Sequence, residues 1–162
     1  MPPKTVRESR ITLSELMEPI HANLWGNVHG GVIMKLVDQA GALACMKHAQ
    51  TNVVTVAMDQ LTFKEPIQIG DLVTLTAELT YTGRSSMEAR VEVTAENPIK
   101  GVKSHTNTAY LVYVALDGER KPVPVPPLVA ENDFERERME RAKQRQEYRQ
   151  QQRLVEKAIP KG

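Results

Sequence analysis

A single cysteine, Cys45, stands among the 162 residues, so no disulfide can close within one chain. One free thiol suits a reducing, cytoplasmic setting. Aromatic residues amount to 4%, too few for the stacking platforms that hold nucleobases or sugars. No apolar run is long enough to span a bilayer. The opening stretch MPPKTVRESRITLSELM also lacks the apolar core of a secretory signal, so membrane insertion is not expected. Neither charge is in excess: 21 Lys and Arg face 20 Asp and Glu, a net charge of +1. That balance sets up no field for nucleic acid or anionic lipid. His21, His48 and His105 have no spacing to cysteines or carboxylates that builds a metal site, and no metal is expected. Serine-hydrolase elbows, phosphate loops and dinucleotide glycine patterns are missing too.

What is present is an ordinary globular composition, 41% apolar and 25% charged. Residues 30–48 (GGVIMKLVDQAGALACMKH) predict a helix of about five turns, apolar nearly all round and hence buried on most sides. Strand-like segments follow. Residues 53–63 are rich in β-branched side chains. In 71–82, Val73, Leu75, Ala77, Leu79 and Tyr81 alternate with Thr74, Thr76, Glu78 and Thr80. In 87–96, Met87, Ala89, Val91, Val93 and Ala95 alternate with Glu88, Arg90, Glu92, Thr94 and Glu96. A period of two marks a sheet with one buried face. Residues 106–116 are apolar on both faces, as in a central or interface strand. The order predicts an α+β fold, one long helix wrapped by about four antiparallel strands, with open edges that favour pairing into at least a dimer.

A proline-rich stretch, KPVPVPPLVA (121–130), should run extended and outside any central strand. It divides a domain over residues 1–130 from a tail over 131–162. The tail holds nine basic and seven acidic side chains in 32 residues of good helix formers. Alternating signs predict a solvated helix laced with i,i+4 ion pairs rather than a nucleic-acid arm.

Asp38 is the outlier of the apolar helix, because an unpaired carboxylate there is costly to bury. It either pairs with Lys35 or a loop amide, or serves as a base or nucleophile in a dry pocket. Gly30 and Gly31 precede it by about two turns, on the same face. Unshielded amides at a helix start polarise a carbonyl, about 10 Å from the carboxylate. Tight helix packing explains the same glycines equally well. Asn23 and Asn27 flank Trp25-Gly26 in the preceding loop, where asparagines ordinarily make local Asx turns. Lys64 and Gly83-Arg84-Ser85-Ser86 offer cations and turn amides suited to phosphate, or plain surface and turn chemistry. Cys45 is read as core rather than nucleophile.

The run ANLWGNVHGGVIMKLVDQAG, Asn23 to Gly41 at its heart, resembles the acyl-coenzyme A thioesterases of the hotdog superfamily. The likeness is to the cytosolic or brain-type acyl-CoA hydrolases and their bacterial single-domain relatives. FKEPIQIGDLV (63–73), TGRSSMEARVEV (82–93), HTNTAYLVYVAL (105–116) and KPVPVPPL (121–128) extend it in order, over about residues 10–130. The resemblance implies a hotdog fold and hydrolysis of fatty acyl-CoA to fatty acid and coenzyme A. It implies an active site between protomers, with Asp38 and Asn23 from opposite subunits and amides of Gly30 or Gly31 at the carbonyl. Lys64, Gly83, Arg84, Ser85 and Ser86 would hold the CoA phosphates. No cofactor is implied, CoA being part of the substrate. A homohexamer, built as a trimer of hotdog dimers, is the implied assembly. A non-catalytic CoA-binding sensor and a hotdog hydratase or dehydratase are the rival readings.

Overall fold

The computed structural model describes residues 1–59, 61, 62 and 64–158. Phe63 and the side chain of His105, both singled out above, lie outside the described residues. The chain opens with a short strand β1 (Lys4–Thr5), one helical turn α1 (Val6–Ser9) and strand β2 (Ile11–Leu16). The long helix α2 (Gly30–Ala49) follows, then β3 (Asn52–Met58), β4 (Leu72–Thr82), β5 (Ser86–Asn97) and β6 (Val102–Leu116). A two-residue strand β7 (Leu128–Val129) and helix α3 (Asp133–Ala158) complete it. β2 to β6 form one antiparallel sheet in the order β2-β4-β5-β6-β3, while β1 and β7 pair in parallel. All five strands of the large sheet touch α2, so the sheet wraps the helix. The sequence reading counted about four strands after the helix. The fifth, β2, precedes it; only Ile11 and Leu13 of its six residues pack on the core, so its alternation is short.

The buried residues of α2 are Ile33, Leu36, Val37, Ala40, Gly41, Ala44, Cys45 and His48, a single stripe at spacings of three and four. Against them lie Val73, Leu75, Ala77 and Leu79 of β4, Met87, Ala89, Val91 and Val93 of β5, and Ala109, Leu111, Tyr113 and Ala115 of β6. Fully burying a Val or Leu side chain stabilises by roughly 1.5–3 kcal/mol, so this layer dominates the stability of the fold. The expectation of a helix buried on most sides is corrected here. Met34 and Leu43, at the two flanks of the stripe, are 44% and 40% exposed in the single chain. One sheet covers only one face of a helix, and these flanking apolar side chains are left over. The helix stops at Gln50, which takes a left-handed conformation (φ 56°) with its amide on the Met46 carbonyl.

The tail also departs from its expected solvated state. α3 lies on the outer face of the sheet. Its residues Arg138, Ala142, Arg145 and Arg149 share one face, and Ala142 is fully buried. Arg138 and Arg10 grip Glu78, while Arg145 and Arg149 grip Glu88. Arg149 also forks onto Asp59, and Arg145 stacks 3.8 Å from the Tyr110 ring centre. Glu78 and Glu88 read as solvent-facing members of alternating strands. The helix buries them, and charge-assisted bonds replace the lost water. Tyr81 also changes face: a bulge between Leu79 and Tyr81 turns it to the outer side, opposite Glu88.

Candidate active site

Asp38 occupies the third turn of α2 and is half-buried. Among the described residues its partner is neither Lys35 nor a loop amide. Its Oδ1 accepts the Thr55 hydroxyl at 2.6 Å and the Tyr113 hydroxyl at 3.2 Å. The Tyr113 hydroxyl also donates to the main-chain oxygen of Asp38 at 2.9 Å. Thr55 on β3 and Tyr113 on β6 are direct partners across the ladder, so sheet register alone delivers both hydroxyls to one carboxylate. Oδ2 has no partner among the described residues. Burial, and then the Asp38 charge, push the Tyr113 phenol far above its ordinary range, so it stays a donor. Burial likewise pushes the Cys45 thiol up, which keeps it protonated and inert within the core.

At the helix start, His29 is the N-cap. Its Nδ1 accepts the Gly31 amide at 2.9 Å, and its carbonyl accepts the Val32 amide. The expectation of an unshielded Gly31 amide is therefore corrected. Glycine at 31 instead makes room for the imidazole, since a Cβ there would lie 3.1 Å from Nδ1. The Gly30 amide has no partner among the described residues. Gly30 lines a cleft of about 300 Å³ together with Val28, Ile33, Lys64, Glu65, Pro66 and Ile67. The structure thus brings Lys64 to the helix start, beside Gly30.

Asn23 is held within its own loop. The pairing of Ala22 with Val28 closes a small hairpin, and Gly26 (φ 82°) supplies the left-handed residue that its turn needs. Asn23 Oδ1 accepts the amides of Trp25 at 2.9 Å and Asn27 at 3.2 Å, an Asx arrangement. Its side-chain NH2 has no partner among the described residues, and none of them links it to Asp38. The loop tip carries Leu24 and Trp25 almost wholly exposed, at 104% and 90%.

The β4–β5 turn does not line the Gly30 cleft. The Gly83 amide is not available to a ligand, because it closes the hairpin onto the Ser86 carbonyl. The carbonyl of Arg84 accepts the Val125 amide, which ties the turn to the proline-rich return, and that of Ser85 accepts the Ala115 amide of β6. Arg84 is exposed, and its guanidinium has no partner among the described residues; Ser85 and Ser86 are half-buried. No group of three or more His, Cys, Asp or Glu converges as a metal site among the described residues. No described helix is long and apolar enough to cross a membrane.

Residues 26–102 match the family model described as the thioesterase superfamily. An acyl-CoA hydrolase of Staphylococcus aureus, solved with butyryl coenzyme A, coenzyme A and coenzyme A disulfide, is 34% identical. It superposes with a TM-score of 0.88 over 96% of this chain and 95% of its own. The chain belongs to the thioesterase superfamily. A second solved relative, a hexameric acyl-CoA thioesterase without ligand, is 34% identical, with a TM-score of 0.89 over 94% of this chain and 97% of its own. The cytosolic acyl coenzyme A thioester hydrolase of Rattus norvegicus is 37% identical over 88% of this chain. The chain spans only 38% of that relative's length. Structures of the S. aureus enzyme also exist with an aspartate, an asparagine or a threonine replaced by alanine.

The sequence singles out Asp38 but not Thr55, Tyr113 or Gly41, where a Cβ would run into the Tyr113 hydroxyl. Two signals pointed their way. A tyrosine in a strand apolar on both faces needs a partner for its hydroxyl. A glycine inside a helix needs a reason, which is close approach.

Proposed function

We propose that the chain is an acyl-CoA thioesterase, hydrolysing fatty acyl-CoA to a free fatty acid and coenzyme A. The observation that carries this reading is the Asp38 carboxylate, held by Thr55 and Tyr113 two turns from the unpartnered Gly30 amide. The Gly30 amide, at the positive end of the helix dipole, polarises the thioester carbonyl. Asp38 takes the proton of a water that attacks this carbon, or attacks the carbon itself to form an anhydride that water then cleaves to the free acid and the regenerated carboxylate. The carbon–sulfur bond breaks, and the CoA thiolate leaves and is protonated. Asn23 of the partner subunit turns its free NH2 towards the water or carbonyl. Lys64 and the exposed Arg84, with Ser85 and Ser86, hold the CoA phosphates. No cofactor takes part, and the protein works in the cytoplasm.

Paired subunits suit the surfaces that the single chain leaves open. These are the edge of β3, with Val54 and Val56 exposed, the Met34 and Leu43 flanks of α2, and the Leu24-Trp25 tip. Three such dimers make a hexamer, the assembly named for the similar solved thioesterase. The test is thiol release from acyl-CoAs of short to long chain by wild type and Asp38→Asn. The amide keeps an acceptor for Thr55 and Tyr113, so the fold is preserved while the base is lost. Turnover should fall by at least about 100-fold with CoA binding retained. A variant with most of its turnover refutes the assignment. CoA binding without release by wild type would favour a non-catalytic sensor.

A further inference from the structure

We infer that Tyr113 and Gly41 form a positioning pair that decides which oxygen of Asp38 reacts; the inference rests on the thioesterase reading above. The Tyr113 hydroxyl reaches both the main-chain oxygen and Oδ1 of Asp38, at 2.9 and 3.2 Å. A donor tied to the backbone and the side chain of one residue restrains the rotation of that side chain. Thr55 donates to the same Oδ1 at 2.6 Å. Both hydroxyls therefore load one oxygen, and Oδ2 is left to face water or substrate.

Gly41, one turn further along α2, is what admits the hydroxyl. A Cβ at position 41 would lie 2.4 Å from the Tyr113 oxygen and 3.0 Å from two ring carbons. Tyr113 is fully buried and its ring has no open side to swing into. A glycine weakens a helix interior, so close approach of this phenol accounts for its presence. Tyr113 is closed off from solvent. It acts through Asp38, as a positioning residue.

Two variants and two measurements test the pair. Tyr113→Phe removes only the hydroxyl, and Gly41→Ala displaces it. Acyl-CoA kinetics are read beside the three-bond NMR couplings that report the side-chain rotamer of Asp38, which need no turnover. Tyr113→Phe should lower kcat about tenfold with KM little changed, because the reacting oxygen loses its set orientation. The Asp38 couplings should move from those of one rotamer to a rotamer average, since the donor that ties its side chain to its own backbone is gone. Gly41→Ala should move both readouts the same way, because a Cβ there meets the hydroxyl and the ring. Wild-type kcat and Asp38 couplings in folded Tyr113→Phe would overturn the inference; if that variant does not fold, Gly41→Ala decides on the same readouts. Averaged Asp38 couplings in Tyr113→Phe, in a chain whose wild type releases no thiol, uphold the positioning pair and discard the thioesterase reading.

Discussion

Replacing Glu88 by glutamine should unlatch the terminal helix and lower the stability of the whole fold. Glu88 is 1% exposed and accepts from Thr80, from both arms of Arg145 and from Arg149. At an effective dielectric constant near 20, two opposite charges about 4 Å apart attract by about 4 kcal/mol. Desolvation offsets much of this for the intact pair. Removing one member is different, because the desolvated guanidinium of Arg145 stays behind without a carboxylate. Arg149 keeps Asp59, which limits the damage. The loss for a broken buried pair is roughly 3–5 kcal/mol. For a chain of this size each kcal/mol lowers Tm by about 2–4 °C, giving a fall of roughly 6–20 °C. Calorimetry at low and high salt measures this, and limited trypsin digestion reports cleavage after Arg149 and Arg153 in the freed helix. An exposed pair contributes under about 1 kcal/mol and fades with salt. A Tm within about 3 °C of wild type, with the tail still protected, would therefore refute a buried latch.

Three further outcomes follow from the same geometry. His48 is fully buried; its Nε2 meets the Pro126 carbonyl at 2.8 Å, and its Nδ1 has no partner among the described residues. Burial pushes its pKa below the ordinary 6.5, so the unfolded chain binds a proton there that the folded chain refuses. Stability should be fullest above that ordinary value and fall as the pH drops through it, and His48→Gln should flatten the acid side of a Tm–pH curve. Co-expressing Asn23→Ala with Asp38→Asn should restore thiol release that neither variant shows alone, since each mixed dimer holds one intact site; mixed dimers as inactive as their parents would place both residues in one subunit's site. Trp25→Ser should shift sedimentation towards smaller species without lowering monomer stability, because the ring is 90% exposed in the single chain; unchanged sedimentation would remove the loop tip from the interface.

The amino-acid sequence by itself determined the α+β order, the helix over 30–48, the strand cores over 71–82 and 87–96, and Asp38 as the residue to explain. Those features are local: a period of two or 3.6, a proline-rich break, a charge among apolar neighbours. Tertiary structure decided the rest. Thr55 and Tyr113 are 58 positions apart in sequence count, yet the β3–β6 register sets them opposite each other below Asp38. Glu78 and Glu88 follow a solvent-facing period, and only the docking of α3 shows them buried. A bulge too small to leave a pattern turns Tyr81 to the other face. Gly31 reads as a bare amide in the sequence, and only the folded loop puts the His29 ring on it. Periodicity reports which face a residue takes within its own element. Which distant element then covers that face depends on register and packing, which no local window contains.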